Sequence, residues 1–246
     1  MKRTISLLFI IFLMCNLIFS LTSCNPYTVR KDGIIYEKVT CSDINRVQYE
    51  AYYVAGCYEE VKILNIASEI KGLPVEGFRE GAFSNCLHIE EIIIPSSMHK
   101  HSGDNKPVFD GCNNVKSITV PWGDLGSLFL ANSNNLANTK NRLPESLEVV
   151  YISGSCAKID TLDFYYCKTL KEIHIPNSVQ TIDDGTKGTW IGVNGHKPPS
   201  KFDNLPFLGC NPDLKIYCET TEKPDGWGEY WNYISENQKL TVFWSE

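Results

Sequence analysis

The chain has no run of lysine or arginine, no Cys-x-x-Cys pair and none of the short motifs that announce catalysis. Gly-x-Ser-x-Gly, His-Glu-x-x-His, a glycine-rich phosphate loop closed by Lys-Ser or Lys-Thr, and the dinucleotide fingerprint are all missing. No local segment therefore supplies an activated nucleophile, a metal-bound water or a phosphate cradle. The formal net charge is -6, and -8 once Lys2 and Arg3 are set aside. Without a basic stripe there is no electrostatic footprint for nucleic acid or for an anionic membrane surface. His99-Lys100-His101 with Asp104 reads as a solvated loop, Gly185 to Gly195 lacks the strand-then-helix context of a nucleotide loop, and Asp183-Asp184 reads as a turn.

What the chain does have is repetition. One spelling fits Phe83-Cys86-Ile89-Ile92-Ile94-Pro95, then Phe109-Cys112-Val115-Ile118-Val120-Pro121, then Phe164-Cys167-Leu170-Ile173-Ile175-Pro176, with no slip inside a copy. Leu147-Val150-Ile152-Cys156-Ile159 repeats the spacing of Leu170-Ile173-Ile175-Val179-Ile182, with Asn141 and Pro144 at its own Phe and Cys positions. Val61-Leu64-Ile66 and Phe207-Cys210-Leu214-Ile216 are looser copies at either end, which makes about six coils with atypical terminal units. A unit this short cannot bury its apolar face alone and must stack on its neighbour, so the fold class is a solenoid. The last aliphatic pair of each copy alternates as on a strand, and the following proline cannot donate to a ladder. Each coil thus offers one short strand, parallel to the next, with the Phe and Cys filling space on the return.

These residues resemble the BspA-like subgroup of bacterial leucine-rich repeat proteins, over roughly Asp32 to Glu246. Gly72-Leu73-Pro74-Val75 leading into Gly81-Ala82-Phe83, the stretch Leu143 to Val150, and the ending Cys218 to Pro224 with Trp227, Trp231 and Trp244 carry the likeness. The resemblance implies a leucine-rich repeat solenoid, mainly β, with a parallel concave sheet and short helical or irregular convex segments. It also implies a Trp-rich C-terminal cap, and the strand formers of Ile34-Ile35-Tyr36 and Val47 to Val54 add a hairpin-like N-terminal cap. Insertions at His99 to Lys106, Trp122 to Asn141 and Asp183 to Lys201 depart from the pattern.

At the N-terminus, Lys2 and Arg3 precede an apolar run from Ile5 to Phe19, followed by Leu21-Thr22-Ser23-Cys24. Charge, length and small-residue site read as a secretory leader, and the last four residues look like a bacterial lipobox with Cys24 as the acylated residue. The expected organisation is a lipoprotein signal peptide over 1–23, lipid anchor and tether over 24–31, N-terminal cap over 32–60, solenoid over 61–216 and C-terminal cap over 217–246. The expected location is the cell envelope, lipid-anchored at the outer membrane.

Eight cysteines follow Cys24. Cys86, Cys112, Cys167 and Cys210 share a repeat position and Cys156 replaces Val179 of the next coil, so these five read as buried core thiols. Cys41 and Cys218 fall outside the frame. Ligands spread one per coil form a ladder and not a tetrahedron, so neither a metal nor another cofactor is expected.

The repeat frame also yields a surface. If the last aliphatic pair of each strand points inward, the residue between them points outward: Asn65, Ile93, Thr119, Tyr151 and His174, flanked by Glu91, Ser117, Val149 and Glu172. Trp122 follows at the edge of that face. The partner-binding set expected is Ile93, Thr119, Trp122, Tyr151 and His174, on a non-catalytic exported protein that takes a protein or matrix partner. A glycan held by Trp122, Trp190 or the terminal tryptophans is the second reading, and an exported hydrolase carried on the insertions is the remote third.

Overall fold

The computed structural model describes residues 27–98, 107–123, 125–129, 143–161, 163–186, 202 and 204–246. The chain opens with β1 (Thr28–Lys31), β2 (Ile34–Ser42) and β3 (Gln48–Cys57), continues through β4 (Ile63–Asn65), and folds back in β5 (Glu69–Ile70) and β6 (Leu73–Phe78). The coils follow as β7 (Glu91–Ile93), β8 (Ser117–Val120), β9 (Val149–Ile152), β10 (Lys158–Ile159), β11 (Glu172–Ile175), β12 (Thr181–Ile182) and β13 (Lys215–Cys218). β14 (Tyr233–Ser235), β15 (Gln238–Lys239) and β16 (Thr241–Trp244) end the chain. A seven-stranded parallel sheet in the order β16-β13-β11-β9-β8-β7-β4 is the body of the solenoid. A five-stranded sheet, β1-β2-β3-β6-β5, covers its N-terminal end.

Proline explains why these strands are so short. Pro95, Pro121 and Pro176 follow the strands β7, β8 and β11, where the missing N–H ends the ladder. At the matching positions without proline the ladder runs one bond further: the Ser153 amide donates to Val120 O at 2.7 Å and the Glu219 amide to Ile175 O at 3.0 Å. Inside the sheet Leu64, Ile92, Ile118, Val150, Ile173 and Ile216 are fully buried, register partner against register partner.

The aromatic and thiol positions stack as rungs on the far side. Phe83 lies flat on Phe109 at 5.1 Å and 9°, and Phe164 on Phe207 at 5.2 Å and 16°. Phe78 from β6 closes the first stack edge-on, 5.7 Å from Phe109. The irregular coil before β9 obtains its ring from inside an insertion. A helical turn, Gly126–Phe129, places Phe129 at 5.6 Å from Phe109, and the Phe109 amide donates to Leu128 O as the Phe83 amide does to Val108 O. That coil therefore has a ring after all, at 129 and not at 141. The Cys112 thiol donates to Phe83 O at 3.0 Å and the Cys210 thiol to Phe164 O at 2.8 Å, each reaching the coil before it. Burial pushes the Cys112 and Cys218 thiols up to about 12.

Several sequence expectations change. Residues 28–31, read as tether, form β1, because Asp32 and Gly33 at φ 53 and 77 make a two-residue hairpin loop between Lys31 and Ile34. Cys218, read as outside the frame, pairs with Ile175 and is buried. Cys86, read as buried, is half-buried. Most of the insertions at 99–106, 122–141 and 183–201 lies outside the described residues, as do Cys24, Trp190, His99, His101 and Asp104.

The C-terminal segment closes the other end. Trp227 bridges to Ile182, donates its indole N–H to Val179 O at 2.9 Å, and packs edge-on against Trp231 at 4.6 Å. Asp184, read as a turn residue, turns out to be the buried anchor of this cap. Its carboxylate accepts from the Thr186 hydroxyl at 2.6 Å, the Thr186 amide at 3.1 Å and the Tyr230 amide at 2.8 Å. A side chain at Gly228 would run into that carboxylate. Burial alone would raise the Asp184 pKa, but these hydrogen bonds outweigh it and hold the group below its ordinary value.

Two outcomes are expected. Phe109→Ala removes a ring touched on three sides and should cost about 3 to 5 kcal/mol in urea unfolding. Asp184 is depressed in the folded state, so its contribution is present above the unfolded carboxyl value of about 4 and is lost as pH falls through the lower folded value. Asp184→Asn should therefore be less stable by about 1 to 3 kcal/mol at pH 7, with the gap to wild type closing as unfolding is measured at successively lower pH.

Candidate functional site on the strand face

Alternation along each strand turns one residue out for every residue buried. Pairing places these outward residues in one column: Asn65, Ile93, Thr119, Tyr151, His174, Tyr217 and Phe243. Four of the expected site residues, Ile93, Thr119, Tyr151 and His174, are adjacent members of it. Tyr217 and Phe243 extend it beyond the expectation. Tyr217 sits between Ile216 and the inward Cys218, whose thiol hid the strand pattern, and Phe243 lies on a strand that the sequence reading absorbed into the cap.

The four aromatic members form a continuous stack. Tyr151 and His174 lie 4.5 Å apart at 22°, His174 and Tyr217 4.8 Å at 12°, and Tyr217 and Phe243 5.0 Å at 16°. The spacing is that of neighbouring parallel strands, so the sheet itself dictates the stacking. The two end rings are the most open, Tyr151 at 42% and Phe243 at 43% exposure. Both faces of His174 and of Tyr217 are covered by neighbours, which leaves ring edges, phenol hydroxyls and imidazole nitrogens for a partner. The flanking column runs Ile63, Glu91, Ser117, Val149, Glu172, Lys215 and Thr241. The His174 Nε2 lies 3.4 Å from a Glu172 carboxylate oxygen, and Lys215 is the register partner of Glu172 on the other strand. The face is thus an aromatic stripe beside a mixed-charge one, built for contact area with polar tips.

Trp122 does not belong to this surface. Directly after Pro121 the chain turns inward, the indole joins the apolar core at 9% exposure, and its N–H has no hydrogen-bond partner among the described residues. Trp227 and Trp231 are likewise buried, and Trp244 is half-buried at the end strand. The thiols are also not a uniform ladder. At the N-terminal end Cys57, Cys86 and His88 bring their ligand atoms within 4.8 Å of one another, a convergence hidden by the displaced Cys57 and by the sequence distance between contributors.

One short parallel strand per coil, rungs of Phe and Cys behind it and capped ends define a leucine-rich repeat solenoid. The profile of the BspA type leucine-rich repeat region matches residues 55–148 and 143–186 with 6 copies, more than half of the chain, and the protein belongs to that family. Among solved structures it is similar to a T. pallidum leucine-rich repeat protein, at 17% identity over 77% of this chain and 70% of that one, with a TM-score of 0.31. It is also similar to a leucine-rich repeat protein from Bacteroides ovatus, at 16% identity over 87% and 76% of the two chains, with a TM-score of 0.25. No curated protein matches the sequence.

Proposed function

We propose that this is a non-catalytic, exported binding protein, lipid-anchored through Cys24 in the cell envelope at the outer membrane, that takes a protein or matrix partner on its concave strand face. The four-ring column carries the reading. Tyr151, His174, Tyr217 and Phe243 stand together on one exposed strip, and clustered aromatic anchors are what dominate binding energy at protein interfaces. Repeat scaffolds of this kind commonly serve as interaction surfaces, their curvature presenting one face to the partner. The anchor rests on the charged start, the apolar run and Leu21-Thr22-Ser23-Cys24.

A glycan is the less favoured partner. Sugar rings stack on open aromatic faces, whereas the inner rings of this column cover each other and Trp122, Trp227 and Trp231 are buried. A hydrolase carried on the insertions is less favoured still, because the sequence carries none of the short motifs that supply an activated nucleophile.

The test is a panel of immobilised matrix proteins beside a glycan array, probed with wild type and with Tyr151→Ala/His174→Ala. The expected result is a protein ligand whose affinity drops at least tenfold in the variant, as truncating a central anchor costs about 2 kcal/mol or more. The variant's Tm should fall only slightly, since each cross-strand pair contributes about 0.2 to 1 kcal/mol. Undiminished affinity in the folded variant, or binding to glycans alone, would remove the strand-face reading. Separately, Cys24→Ala should abolish incorporation of labelled fatty acid and release the protein from the membrane fraction, and continued labelling would remove the anchor.

A further inference from the structure

We propose that Cys57, Cys86 and His88 form a binding site for one borderline-soft divalent cation, Zn2+ being the best fit, at the seam between the N-terminal sheet and the first coils. The three ligand atoms lie within 4.8 Å of one another, and Cys57 Sγ stands 3.5 Å from His88 Nε2. With Zn–S of about 2.3 Å and Zn–N of about 2.0 to 2.1 Å, the sulfur–nitrogen edge of a zinc tetrahedron is about 3.5 Å. The observed separation therefore needs no adjustment, and the other edges need at most a modest contraction. Two thiolates and an imidazole are a donor set that selects zinc over calcium or magnesium, which take oxygen ligands.

The second observation is that His88 abandons what its counterparts do in other coils. The residue before the leading aliphatic of a coil ordinarily ties it to its predecessor: Asn114 donates to Leu87 O at 2.6 Å, Ser146 to Val115 O at 2.7 Å and Thr169 to Leu147 O at 3.2 Å. His88 occupies that position and faces a sulfur instead. Beside it, the Cys57 and Cys86 sulfurs lie within 4.8 Å of each other and of a His88 ring nitrogen. Three neighbouring side chains are thus turned toward one point between two structural units.

The backbone holds them there. Cys57 ends β3 in register with Ile34 of β2. Cys86 lies in a turn fixed by its own amide on Phe83 O at 3.1 Å, with the Phe83 ring locked in the stack behind it. All three ligands are half-buried, and a water molecule would complete the tetrahedron. A cation here would tie the N-terminal sheet to the first coil. This site is independent of the strand-face reading.

The test uses the untagged, detergent-solubilised full chain, purified with reductant and titrated with Co2+ as the spectroscopic probe. One equivalent should produce tetrahedral d–d bands with a sulfur-to-cobalt charge-transfer band, all displaced by Zn2+, and Zn2+ should raise Tm. Cys86→Ser and His88→Ala, each shown folded by circular dichroism, should weaken Co2+ binding at least tenfold and lose the Zn2+ shift in Tm. Cys167→Ser, in the other thiol stack, should keep both. Absence of a charge-transfer band in the wild type, its persistence in Cys86→Ser and His88→Ala, or isolation of the native protein with a Cys57–Cys86 disulfide would each overturn the site.

Discussion

Register between successive coils is the constraint on which everything else depends. A strand of three or four residues buries nothing useful alone, and only when Ile92, Ile118, Val150 and Ile173 fall directly beside one another does a continuous core exist. Because side chains alternate, a slip of one residue would turn those aliphatics to water and drive Tyr151 and His174 inward. The core and the aromatic column are therefore two outcomes of a single pairing. The phenylalanine and cysteine rungs are a third, since their spacing along the return is set by the same stacking.

A solenoid has two open ends, and this chain closes them by different means. At the start a five-stranded sheet brings Phe78 edge-on against the phenylalanine stack, and the Tyr36 hydroxyl accepts from the Ala67 amide at 3.0 Å. At the finish, tryptophans cover the last coil and a buried carboxylate satisfies backbone donors of the covering loop. Among the described residues the buried carboxylate stands at the C-terminal closure alone, so acid acts on the two ends unequally.

The fold was legible in the sequence wherever spacing stayed rigid. Phe83, Phe109 and Phe164 with their cysteines and aliphatics announce the coils, and the outward positions of Ile93, Thr119, Tyr151 and His174 follow by alternation alone. Legibility failed where an insertion or a substitution broke the count. Phe129 fills its rung from inside an insertion, so counting could not find it. Cys218 stands where Ile175 stands in the preceding coil, and that exchange disguised the strand carrying Tyr217. β1 could have been found from Asp32-Gly33, the strongest two-residue hairpin signal available. Trp122 misled because a residue just past a strand end has no alternation to follow; the turn of the chain decides its side, and here it turned inward. The meeting of Cys57 with Cys86 and His88 depends on how the N-terminal sheet docks, which no local pattern encodes.

The stacked column has a consequence for how a partner would be received. A free tyrosine or histidine on a surface samples several rotamers and must surrender that freedom on binding, at about 0.5 to 1.5 kcal/mol for each side chain immobilised. Here His174 and Tyr217 are clamped between ring neighbours at 4.5 to 5.0 Å and each end ring rests against one, so much of the restriction has already been imposed by folding. The strip is a stiff comb of ring edges. Any selectivity of the strip would then lie in the spacing of those edges, about one strand apart.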